Sequence, residues 1–91
     1  MSELVATLLL PDGRKVRVGP SGRNKKFTLE ELQAFVGGYI DQVRLPNGQT
    51  MYVNEDGKMH GLPYNDYASI ATGHRHLVVG SALLMDGRRQ S

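Results

Sequence analysis

A chain of 91 residues with 40% hydrophobic and 22% charged residues is sized for one small globular domain, spanning 1–91, and its apolar content excludes disorder. It contains no cysteine, which excludes a disulfide framework, a thiolate metal site and a thiol nucleophile. The net charge is only +2, yet six of the eleven basic residues (Arg14, Lys15, Arg17, Arg23, Lys25 and Lys26) fall within positions 14–26, with no acid among them.

The apolar run Leu4–Leu10 predicts a well-covered strand. Pro11-Asp12-Gly13 supplies the turn, and Arg14–Val18 returns with basic residues alternating with valines, one wet face and one buried face. Gly19-Pro20-Ser21-Gly22 reads as a loop. Thr28 followed three residues later by Glu31 is a capping box, so a helix is predicted over Thr28–Val36, with Leu29, Leu32, Phe35 and Val36 on one face and Gly37 as its stop.

A second hairpin follows, Tyr39–Leu45 and Gln49–Asn54 around Pro46-Asn47-Gly48. Its alternation puts Val43 and Leu45 on one face, with Ile40, Gln42 and Arg44 on the other. Asn54-Glu55-Asp56-Gly57 makes a turn, and Lys58–Leu62 is expected to be extended. Asn65 is expected to cap a short helix over Asp66–Thr72, stopped by Gly73. The most apolar segment, Leu77–Met85, is predicted to be the central strand, with a polar tail from Asp86. The order ββαββαβ implies an α+β fold, a mostly antiparallel sheet of about five strands covered by two short helices.

Leu77–Met85 is also far shorter than the roughly 20 residues of a membrane helix, and Met1-Ser2-Glu3 lacks the basic start of a signal peptide. No membrane partner and a cytoplasmic location are expected.

Catalytic chemistry finds little support. The nine acids lie mostly in turns and first helical turns, and no spacing forces two of them across a cleft. A calcium loop built on Asn54, Asp56 and Gly57 would need Tyr52 and Pro63 as ligands and is rejected. His74 and His76 would share a face if they lay in a strand, but a metal site would still need a third ligand, and a surface pair is the simpler reading. No serine has a nucleophile-elbow context, and neither a Walker loop nor a dinucleotide fingerprint is present. The expectation is a protein that is not an enzyme and carries no metal or cofactor.

The stretch from Val36 to Ala68 carries all four tyrosines, together with Asn47, Asn54 and Asn65. Tyrosine offers stacking area and a hydroxyl; asparagine offers a donor and an acceptor for a base or amide edge. Tyr64-Asn65 at a helix start is a natural anion edge. Turn chemistry accounts for many of these residues singly, as a solvated strand face accounts for the basic run.

Three motifs within this stretch, Val36-Gly37-Gly38-Tyr39-Ile40, Asn54-Glu55-Asp56-Gly57-Lys58 and Gly61-Leu62-Pro63-Tyr64-Asn65, resemble a family of small phage and prophage proteins carrying a domain of unknown function. The resemblance covers residues 28–85. It implies a protein that acts by binding, in a setting where many such proteins blunt host defence and one class of them, compact oligomers, sequesters nucleotide-derived signals. The reading is therefore a homo-oligomeric binder of a small phosphorylated nucleotide, with Tyr64, Asn65, Tyr67, Tyr52 and Asn54 as ligand contacts and Arg17 or Arg44 as phosphate partners. The alternative is an inhibitor or adaptor that binds a host defence protein or nucleic acid.

Overall fold

The computed structural model describes residues 6–20 and 26–85. Five strands, β1 (Ala6–Leu9), β2 (Lys15–Val18), β3 (Ile40–Arg44), β4 (Thr50–Asn54) and β5 (Ala82–Met85), form one antiparallel sheet in the order β2-β1-β5-β4-β3. Helix α1 (Leu29–Val36) lies between the two hairpins in sequence, and α2 (Asp66–Ala71) precedes β5. The α+β class and the order ββαββαβ are those expected from the sequence.

Period-2 alternation sorts the sheet into two faces. Ala6, Leu32 and Leu83 form a core on the α1 side, with Leu8, Val18, Phe35, Ile40, Tyr52 and Met85 packed around them. On the α2 side Leu9, Val43, Leu45, Met51, Ala68, Val78 and Ala82 form the larger core. Met51 and Leu83 are wholly buried, and removing each side chain from water stabilises the fold by about 2 kcal/mol. Val43 and Leu45 thus sit opposite Ile40, Gln42 and Arg44 across the sheet, as the alternation requires.

Helix α1 begins where its capping box places it. Thr28 Oγ1 accepts a hydrogen bond from the Glu31 amide at 3.1 Å, and Glu31 Oε1 accepts one from the Thr28 amide at 2.9 Å. Gly37, left-handed at φ 84°, ends the helix.

Two expectations need correction, and one condition is not met. Lys58–Leu62 is not extended: residues 55–61 are a run of turns, closed by Leu62 N donating to Gly57 O at 3.1 Å. The segment Leu77–Met85 is not one strand, because only Ala82–Met85 joins the sheet. Gly80 at φ 77° breaks it, and Val79 instead forms a lone bridge with Tyr64. A β-carbon on Gly80 would stand 2.7 Å from Leu62 Cδ1, so the chain needs glycine there for both its backbone angle and its space. His74 and His76 do not lie in a strand either; both are exposed in the turn after α2, where His74 takes a φ of 63°. The ends of the first predicted strand and loop, Arg23, Lys25 and the polar tail fall outside the described residues.

One side chain ties these parts together. Asn65 is fully buried and caps α2 by accepting from the Ala68 amide at 3.1 Å. Its Nδ2 donates to Leu9 O at 2.9 Å and to Gly80 O at 2.8 Å, joining α2 to the end of β1 and the entry to β5. Asn65→Ala is expected to lower unfolding free energy by about 3 kcal/mol, since it strands two buried carbonyls and a helix-end amide. Asn65→Asp, which retains the cap but cannot donate, should cost a similar amount. Chemical denaturation of both variants checks this, and a harmless Asp variant would show that the cap alone matters.

Candidate ligand-binding surface

The seven side chains expected to meet a ligand do not converge. Asn65 and Asn54 are buried and their amides are occupied within the fold. Asn54 Nδ2 donates to Val36 O at 3.1 Å and its Oδ1 accepts from the Asp56 amide at 2.8 Å. Neither presents a free edge to a base. Tyr52 packs half-buried in the α1-side core, beside Leu83 and opposite Gln42. Arg44 is exposed on that same face, on edge strand β3. Arg17 is on the other edge strand, β2, and on the α2 face; four strand spacings, about 19 Å, separate the two edges. Arg17 and Arg44 therefore belong to different surfaces.

What the fold does bring together is a cation–aromatic pair, in which Tyr67 belongs to the expected set and Lys15 does not. Lys15 Nζ stands 4.5 Å from the centroid of the Tyr67 ring. Tyr67 comes from the first turn of α2, Lys15 from β2, and the ring edge lies beside Gly13 of the β1–β2 turn. Arg17 follows Lys15 at the next position on the same strand face. Tyr67 and Tyr64 each remain 44% exposed, so neither ring is consumed by the core. The period-2 pattern placed Lys15 and Arg17 on one face, but nothing local could say that α2 packs against it.

Arg14 does not add to this surface as a free charge. Its Nε donates to Asp12 Oδ2 at 2.7 Å and its amide to Asp12 Oδ1 at 3.0 Å. The amide first, and then the guanidinium, hold the Asp12 carboxyl below its ordinary range.

Two of the hollows among the described residues draw on the predicted loops. One, of about 410 Å³, lies between the β3–β4 end and the segment after α2, lined by Asp41, Val43, Asp56, Lys58, Arg75 and His76 among others. The second, of about 450 Å³, lies between the end of α1 and the loop before α2, and draws residues from all three motifs: Val36 and Gly37, Asn54, and Leu62 with Pro63. Among the described residues, no three His, Cys, Asp or Glu side chains group closely enough to hold a metal ion.

The motifs meet because they build the fold. Asn54 reaches back to the first motif through Val36 O, and a β-carbon on Gly38 would come within 3.0 Å of Asn54 Nδ2. Leu62 N bonds to Gly57 O, linking the third motif to the second, and Gly80 N bonds to Pro63 O at 2.7 Å. Their spacing is the signature of one interlocked loop set.

A model of a domain of unknown function, DUF3846, matches residues 7–91. The chain belongs to that family. No curated protein and no solved structure gives a match. The DUF3846 match takes in the β1–β2 hairpin as well as the three motifs, so the Lys15–Tyr67 pair lies within it. None of the helices in the described residues is long and apolar enough to cross a membrane.

The Asp12–Arg14 pair yields a pH test. A depressed carboxylate contributes stability that is complete above its unfolded pKa and is lost as pH falls through the folded one. NMR titration should find Asp12 ionising below the usual value of about 4. Arg14→Ala should reverse the displacement only in part, because the backbone amide, the larger cause, remains.

Proposed function

We propose that this DUF3846 domain is a non-catalytic binding protein for a small phosphorylated nucleotide, held at the surface formed by β2 and the start of α2. The observation that carries this reading is the Lys15 ammonium poised 4.5 Å over the exposed Tyr67 ring. A phosphate is drawn to Lys15 and to Arg17 beside it, while an aromatic base finds stacking area at Tyr67. From α2 the site takes only the Tyr67 side chain; the helix-end amides and the buried cap Asn65 have no part in it, nor do Asn54, Tyr52 and Arg44.

The finer biological role, sequestration of a nucleotide immune signal by a phage-type counter-defence protein in the host cytoplasm, rests on the motif resemblance alone. Binding a nucleic acid through the cationic β2 edge is the second reading, favoured by the exposure of Lys15 and Arg17 along that strand. A sequestering protein returns its ligand unchanged, whereas an enzyme does not.

Titration calorimetry against cyclic dinucleotides, ADP-ribose and its cyclic isomers tests the proposal. Saturable binding by at least one of them is expected, with Tyr67→Ala and Lys15→Ala each weakening it about tenfold, roughly the loss of one stacking or charged contact. The ligand should be recovered intact by mass spectrometry after heating. No heat with any of these nucleotides would overturn the reading. Binding to single-stranded DNA that weakens steeply with added salt would replace it with the nucleic-acid one.

A further inference from the structure

Among the described residues, β2 and β3 are the outermost strands of the sheet, and the chemistry of the two edges differs. In the β3–β4 hairpin, Leu45 N bonds to Gln49 O and Glu55 N to Tyr39 O. Alternation between these two fixed points turns the backbone groups of Tyr39, Asp41, Val43 and Leu45 toward β4. The N–H and C=O groups of Ile40, Gln42 and Arg44 therefore point outward. In the β1–β2 hairpin the bond from Leu10 N to Arg14 O sets the phase, so the outward groups on β2 are those of Lys15 and Arg17.

We infer that β3 is a self-association edge, at which a second copy of this chain pairs antiparallel about Gln42 to make one continuous sheet. That register sets Gln42 opposite the partner's Gln42 and Ile40 opposite the partner's Arg44, and all three outward-facing residues meet outward-facing partners. No like charges stand directly opposite, and each face of the sheet continues into the same face of the partner, as a two-fold axis requires. The same operation on β2 would set Lys15 opposite the partner's Arg17 twice over. Cations of this kind are how natural sheets block edge pairing. β3 has no such guard at its centre and no proline, and Tyr39, the residue before it, is 67% exposed and would be covered by the partner's strand end. Asp41 and Val43 line the 410 Å³ hollow, so a second copy would stand at its outer wall. This inference does not rest on the nucleotide reading, whose residues lie at the opposite edge.

Sedimentation equilibrium of the full chain tests it. The wild type is expected to be a dimer that dissociates on dilution. Gln42→Pro removes an outward N–H without touching the β3–β4 ladder, so its circular dichroism should be unchanged while its dimer weakens at least about fivefold from two lost hydrogen bonds. Gln42→Lys and Gln42→Glu alter only an exposed side chain: each alone should weaken the dimer, and a mixture of the two should restore it as a heterodimer. A wild type that stays monomeric at high concentration overturns the inference. So does a dimer that ignores all three substitutions, or a Lys–Glu mixture that fails to recover. Should the proline variant lose its structure, the Lys–Glu pair alone decides. Lys15→Ala should leave the dimer intact, which separates this result from any failure of the nucleotide reading.

Discussion

A buried carboxamide is tolerable only when each of its polar groups has a partner, and Asn65 sets that constraint for the whole chain. Its Oδ1 holds the start of α2; its Nδ2 holds carbonyls of Leu9 and Gly80, which come from different parts of the sheet. Its own backbone is engaged as well, with its amide on Val78 O at 2.8 Å and its carbonyl accepting from Ser69 Oγ at 2.9 Å. Ser69 Oγ in turn accepts from Val78 N at 2.9 Å, so the segment after α2 is pinned to the helix from two sides. These bonds fix the end of β1, the start of α2 and the entry to β5 at one point, and Tyr67, two residues beyond Asn65, lies under Lys15. A polar group placed for architecture thus decides where the aromatic surface falls.

That arrangement explains why the motif stretch is a poor map of a binding site. Asn54 and Asn65 are buried because a turn and a helix start in the interior need side-chain partners for their amides. Its glycines serve the backbone: Gly37, Gly48 and Gly61 take positive φ, and a β-carbon on Gly57 would stand 2.8 Å from Val79 Cγ2. Residues free to meet a ligand are those the packing leaves over, and on the α2 side of the β2 edge these include Lys15 and Tyr67. In the proposed site, the pair is drawn from elements 52 positions apart in the chain (15 to 67), and neither residue belongs to the motif cores.

Much of the fold was legible where a local rule suffices. Thr28 and Glu31 announced α1, Pro46-Asn47-Gly48 announced the second hairpin, and the alternation from Ile40 to Leu45 sorted the faces correctly. The central position of the last strand followed from its apolar character. Its length did not, because Val78 and Val79 are apolar for packing against α2 and the 57–62 loop rather than for sheet pairing, and composition does not distinguish the two uses. Lys58–Leu62 misled for a related reason: its turns are closed by bonds to Asp56 and Gly57, with no period to betray them. Among the site residues, Tyr67 and Arg17 could be nominated from exposure and charge. Lys15 was visible only as part of a basic run, since its partner arrives through tertiary packing.

The strand order has a consequence for how the molecule assembles. Each hairpin, β1–β2 and β3–β4, closes through a short turn, yet the two do not touch in the sheet; β5, after both in the chain, lies between them. Local contacts can form early and independently, but they remain two separate ribbons until the last strand inserts with neighbours on both sides. That step joins residues some 75 positions apart, such as Leu9 and Ala82, and carries the loop-closure entropy of the fold. The sheet is closed by a keystone set last, so a ribosome must release nearly the entire domain before any of it becomes cooperative.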